Sequence, residues 1–441
     1  MSFIERLFGS GKKTTGPDIP FGRYSDAYKT DEQQAMFDQS LEMFEQGDYL
    51  GAYREFLRYL KDEQADNIDW REENGALHFQ FWQGSQRITG VADKDKVKAE
   101  SKIARTDDLN VGFLRRLMEA NFNLKFSRFA LDEENTISIL FDTHTTDGSP
   151  LKLLYALREL AIHADKQDDL LLDEFKVLRP AQERTYGDIP DNEKEVKYKY
   201  VLREAERVFH EIEKGKPDPN QYPGTYAYLY LALAFKLDYL IRPEGFMMDT
   251  LERIHGIYFA KNDRTPQVRV ANMHKEYQKL LERPKEAFFT EMYRTHSTFG
   301  INPAVNHDNM VSLIEGELQN MEWPMQQNYE ALALAVPQYI AGFALFHYAP
   351  PKPDRILLHL FFQILEADFF RELGFDIPYV EAGGRLNKQA ILKAIKTVVE
   401  QNRQQFPYLR PDVTQLDFAS PVLFAKSFLL MIKDLNLSRD Q

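Results

Sequence analysis

The chain has 441 residues, 43% hydrophobic and 28% charged, with 32 Phe, 22 Tyr and 3 Trp, which excludes a disordered polymer and supplies apolar material for two or three cores. Its net charge of −13 disfavours nucleic acid and anionic membrane as partners. Cysteine is absent, which removes disulfides, thiolate nucleophiles and cysteine-ligated metal centres and fits a reducing, cytoplasmic setting.

Residues 1–30 read as a flexible lead-in rich in Gly, Lys, Thr and Pro. Within it Phe3, Ile4, Leu7 and Phe8 make one apolar face, read as a docked terminus or a docking peptide; no secretory leader is recognisable. No apolar run approaches the ~20 residues of a membrane span, so integral membrane association is not expected. Helical spacing begins at Asp31: Met36, Phe37, Leu41 and Phe44 recur, Gly47-Asp48 interrupts, and Tyr49, Tyr53, Phe56, Leu57 and Leu60 resume. This predicts a helical hairpin within 31–66. Its turn, Gln46 to Ala52, is similar to that of a tetratricopeptide unit, but no second copy follows.

Ala76 to Trp82, Arg87 to Val91 and Val97 to Ile103 alternate apolar and polar residues between turns, predicting three antiparallel strands. A helix over 111–121 carries Phe113, Leu114, Leu117 and Met118 on one stripe. Two more strands, 124–131 and 136–142, flank Asp132-Glu133-Glu134-Asn135. Ser149-Pro150 then opens a long helix striped with Leu153, Leu154, Leu157, Leu160 and Ile162. Residues 181–195 are polar and proline-bearing and read as a linker, dividing a module at 67–180 from a region at 196–441. That region reads as all-helical, with helices over 195–214, 224–240, 247–259, 266–281, 285–295, 310–320, 327–341, 353–373, 388–404 and 421–435.

The predicted order α-β-β-β-α-β-β-α over 49–175 is matched most closely in the run from Leu124 through Phe126, Phe129 and Ile137 to Asp142. It resembles the class I type III secretion chaperone fold, which YbjN-like proteins share. The resemblance implies a non-enzymatic, chaperone-like protein that binds another protein, often as a dimer, through its sheet and exposed helices. Residues 196–441 carry no such resemblance. The expected fold is therefore α+β: a chaperone-like module followed by a large all-α domain.

Lys94, Lys96, Lys98, Lys102 and Arg105 line one predicted strand and read as a basic edge on which a partner strand adds. With Phe126 and Phe129 in the adjoining sheet, Lys96, Lys98 and Lys102 form the expected partner-binding set. The partner is another protein, and a homodimer is admitted. The alternative reading is an enzyme or small-molecule-binding protein. Its site would lie at Glu291, His296, His307 and Asp308, which flank the irregular segment 297–305, because a His–carboxylate pair there can act as a general base. Neither His-x-x-His nor His-x-x-x-His occurs, so no metal or other cofactor is expected. A third reading is a structural subunit docked through residues 1–8.

Overall fold

The structure, a computed structural model, describes residues 16–22, 29–62, 66–182, 187–219, 221–300 and 302–438. The hairpin consists of α1 (Asp31–Glu45) and α2 (Tyr49–Leu60). Thr30 and Gln33 cap α1 reciprocally, and the Asp48 carboxylate accepts the Gly51 N–H at the start of α2. Gly47 between them has φ +85°, a conformation that costs a residue with a Cβ.

An antiparallel sheet follows: β1 (Ile68–Glu73), β2 (Ala76–Gly84), β3 (Gln86–Ala92), β4 (Lys96–Arg105), β5 (Arg128–Leu131) and β6 (Thr136–His144), in spatial order β1-β2-β3-β4-β6-β5. The module thus has four strands, not three, before the crossover helix α3 (Val111–Asn121). The extra strand, Ile-Asp-Trp-Arg-Glu-Glu, is too charged to show a clean alternation. Its hairpin turn Asn74-Gly75, with both residues at positive φ, is nevertheless the signature of a two-residue loop. The long helix α4 (Pro150–Glu174) lies against the sheet through Leu153, Leu157, Leu160, Ala164 and Leu171. Those residues, the inward positions of the strands, and Phe56 and Leu60 of α2 form one core.

The remaining residues form the large helical region expected from their spacing. Its helices are α5 (Asp191–Lys214), α6 (Pro223–Ile241), α7 (Gly245–Phe259), α8 (Pro266–Leu281), α9 (Lys285–Thr290), α10 (His307–Leu318), α11 (Glu322–Gln326), α12 (Glu330–His347), α13 (Lys352–Leu365), α14 (Ala367–Glu372), α15 (Lys388–Asn402) and α16 (Pro421–Lys433). The helix expected over 353–373 is two, broken at Glu366. Helix α6 is buried almost all round and packs along α12. A Cβ on Gly342 would stand 2.8 Å from the Phe235 Cβ, so glycine permits this approach.

Two short segments cross between the cores. Ile19 and Phe21 enter the helical core, where the Phe21 ring lies 5.1 Å from Phe370 and 5.3 Å from His359. In the other direction, residues 293–297, the first three of which end the helix expected over 285–295, are extended. Beyond α4, Arg179–Pro180 forms a short strand, β7, on β4, and Gly187–Asp188 forms β8. Tyr293–Arg294 (β9) pairs with β8, and His296–Ser297 (β10) adds to β2 at Gln83 and Gly84. Phe299 then enters the sheet core edge-on to Phe81 at 5.6 Å, and the Gln83 carboxamide bonds the Thr298 and Phe299 backbone.

Candidate interaction surface

Helix α3 has two apolar faces. Asn110 caps its start by accepting the Gly112 N–H, and Phe113 and Leu117 point into the sheet core. On the opposite face Val111 is 80% exposed, Met118 73% and Phe122, immediately after the helix, 91%; with Leu114 they line an open groove flanked by Arg115 and Glu119. The stripe read from sequence is therefore divided, Phe113 and Leu117 inward, Met118 outward, and half-buried Leu114 between them, packed partly against the sheet core. Val111, Met118 and Phe122 leave more apolar surface in water than a surface helix ordinarily carries, with half-buried Leu114 between them. Their spacing was present in the sequence, but Val111 and Phe122 lie at the ends of the helix, where its contribution is easily lost.

Backbone pairing next to α3 is closed off. The β5 edge offers the Phe129 N–H and C=O outward, and the Asn121 carboxamide takes both, at 2.6 and 3.1 Å. The Glu159 carboxylate accepts the N–H groups of Lys125, Phe126 and Ser127 at 2.8–2.9 Å, which holds it below the usual carboxylate range although burial opposes this. An added strand finds few free groups here, so recognition at this end rests on side chains.

The residues expected to bind a partner lie differently from their sequence reading. Strand β4 is not an edge: β3 pairs with one side and β6 with the other, so 97–103 cannot accept a strand. Lys96 is paired with Asp142 at 2.6 Å, and Arg128 meets the other oxygen of that carboxylate. Lys98 pairs with Glu100 at 2.5 Å, and Lys102 is exposed. Phe129 is buried in the sheet core, whereas Phe126 is 37% exposed.

Glu291, His307 and Asp308 are each held by different partners, not gathered into one pocket. The Glu291 carboxylate pairs with Arg283 at 2.5 Å and accepts the Met247 N–H at 3.0 Å. Burial nonetheless pushes it up to about 7, with the charge of Asp169 acting in the same direction. His307 Nδ1 lies 3.0 Å from both oxygens of fully buried Asp354. Burial opposes the imidazolium, but the hydrogen bond and charge of Asp354 outweigh it and raise the His307 pKa. Asp308 is exposed and accepts from the Asn306 amide at 3.2 Å. His296 contributes backbone to β10; its side chain, like residues 1–8, lies outside the described residues.

A polar cluster that the sequence reading did not identify lies inside the helical core. Lys236 on α6 is bonded to Glu204 of α5 at 2.5 Å and to Glu366 at 2.9 Å, and the Gln338 amide donates to Glu366 at 3.2 Å. The adjoining cavity, lined in part by Lys236, Arg207 and Gln338, has about 60 Å³, a few waters' worth and far below an organic ligand's requirement. Among the described residues no group of three or more His, Cys, Asp or Glu is placed to hold a metal, and no helix is long and apolar enough to cross a membrane. No known family model matches the chain, and neither does any curated protein.

Proposed function

We propose that this protein is a non-enzymatic, cytoplasmic protein-binding factor of chaperone or adaptor type, whose α+β module recognises another polypeptide on the outer face of α3. The observation that carries the reading is the exposed stripe of Val111, Met118 and Phe122, with half-buried Leu114 between them, beside a strand edge already capped by Asn121 and Glu159. Such a surface takes the apolar face of a helix, not an added strand. The crossover helix between the meander and the β5–β6 pair supports the likeness to secretion chaperones, although one more strand precedes that helix than the likeness implied; the absence of cysteine supports the compartment.

A photo-crosslinking residue in place of Met118, activated in the source cells, tests this. We expect a covalent product between this chain and another polypeptide chain, lost when Phe122→Glu is added. If irradiation yields no intermolecular product, the surface is not a protein-binding site and the reading fails.

A further inference from the structure

We infer that the helical region carries a recognition groove of its own, independent of α3. It takes a peptide of the pattern Ile-Pro-Phe-Gly from another polypeptide, and the chain's own residues 17–22 occupy it in the resting molecule. That segment is a guest in the core it enters. Among the described residues, every other buried side chain of the helical core belongs to residues 189–435, whereas Ile19 and Phe21 precede the whole sheet module. The two anchors are 3% and 1% exposed, with half-buried Pro20 between them and exposed Asp18 before them. The segment belongs to neither helix nor strand, and Pro17 and Pro20 favour extended backbone at the residues that precede them. Anchors at alternate positions along such a backbone are the way peptides are read in grooves.

The host supplies an acceptor, a donor and a pocket for this guest. Pro243 stands four residues after Tyr239 at the end of α6, so the Tyr239 carbonyl has no intrahelical donor. The Gly22 N–H donates to that carbonyl at 2.9 Å. At the other end of the segment, the Arg294 guanidinium of β9 donates to the Asp18 carbonyl at 2.8 Å. Between these points the Phe21 ring lies among Tyr239, His359, Phe370 and Phe375, with centroids 5.1–6.3 Å away. The Tyr239 hydroxyl and His359 Nδ1 are 2.7 Å apart and satisfy each other, so the pocket asks the guest only for apolar surface.

Position 22 adds a requirement of its own. Gly22 has φ +71°, a conformation that costs any residue with a Cβ. None of these contacts requires guest and host to be one chain. Linkage only raises the local concentration of the guest.

The test uses a labelled peptide of residues 16–22 and fluorescence anisotropy with the full-length protein. A chain carrying both Ile19→Ala and Phe21→Ala should bind the peptide saturably. Wild type should bind it about 100-fold more weakly, because the tethered segment competes at roughly millimolar effective concentration. Gly22→Ala in the peptide should weaken binding about tenfold, and Phe21→Ala in the peptide should abolish it.

A folded host variant that binds no peptide overturns the inference. Equal binding by wild type, or equal binding of a scrambled peptide, places the contact elsewhere and overturns it too. Should the two host substitutions prevent folding, hydrogen exchange of the wild-type protein decides. The Gly22 amide is then expected to exchange through a local opening, faster than the buried amides of α6. Exchange only on global unfolding would make residues 17–22 a permanent part of the core, and the groove would have no other occupant.

Discussion

Lys236 illustrates what one residue can conceal. In the sequence it interrupts the apolar window Tyr226 to Ile241 and reads as a break in a stripe. In the structure it is 1% exposed and joins α5 to the start of α14 through Glu204 and Glu366. Burial pushes Glu204 up, but the ammonium of Lys236 and the guanidinium of Arg207 pull it below the ordinary range, so it remains charged. Taking away the ammonium leaves Glu204 to Arg207 and leaves buried Glu366 with the Gln338 amide in place of a cation. Lys236→Met should therefore cost about 3–5 kcal/mol, the usual consequence of breaking a buried ion pair from one side. Urea denaturation at neutral pH measures it; a loss under about 1 kcal/mol would show that the cluster relaxes into solvent. Lys236 could be recognised as exceptional from its apolar neighbours. Its partners could not, because they are 32 and 130 residues away and nothing local specifies that pairing.

Among the elements, α3 and β5 depend on each other. Asn121 ends the helix and uses both ends of its amide on the Phe129 backbone, which satisfies two groups of an otherwise open strand edge. Asn121→Leu keeps the size of the side chain and deletes both bonds. It should lower stability by about 1–2 kcal/mol and leave the β5 edge free to pair between molecules. Melting temperature reports the first effect, and concentration-dependent scattering beyond that of the wild type reports the second. If neither moves, Asn121 is not the cap.

Element scale also explains which parts of the fold were legible. Helices 111–121 and 266–281 fall at the residues their spacing predicts, because the spacing, Asn110 and Thr265-Pro266 act locally. Strand β1 was missed because Asp69, Arg71, Glu72 and Glu73 mask its alternation, although Asn74-Gly75 marked its turn. Strands β9 and β10 had no local signal: residues 293–297 are extended because β8 and β2 supply the partners. The candidate surface was half legible. Leu114 and Met118 were placed on α3, but which face the core would occupy depends on how the whole sheet packs. The basic residues of β4 looked like an edge because nothing in their alternation reveals that β6 comes between β4 and β5.

At the scale of the whole molecule, the two cores meet along an acidic seam. From α4 come Asp165, which accepts the Ser85 N–H at 3.0 Å, Asp168, held by the Ser85 hydroxyl and the Gln86 amide, and Asp169, which accepts from the Tyr293 hydroxyl. From the helical side come Glu244 and Glu291, with Arg283 as the cation paired to Glu291 and to Asp173 of α4. Lys166, also on α4, is directed to Asp249 and Glu252 at 3.0 and 2.6 Å, tying α4 to α7. Burial, with the charges of Glu244 and Asp168 beside it, pushes Asp165 well above the ordinary carboxylate range, as burial pushes Glu291 to about 7. A carboxyl raised in the folded state keeps its proton after the unfolded chain has released its own. Its contribution to stability is thus full below the unfolded value and declines as pH rises to the folded one. For Glu291 this window runs from its ordinary 4.5 to about 7 and spans roughly 3 kcal/mol. Buried His255 and His359, pulled by burial down to about 4 and about 3, act in the opposite direction over part of that range, so the wild-type curve alone is ambiguous. Glu291→Gln removes the ambiguity: it retains an oxygen for Arg283 and Met247, cannot titrate, and leaves both histidines in place. The stability of wild type minus that of the variant should fall between pH 5 and 7 and level off above. A difference that stays flat across this range would mean that Arg283 keeps Glu291 ionised throughout, and that the seam is held by charge pairing and not by a retained proton.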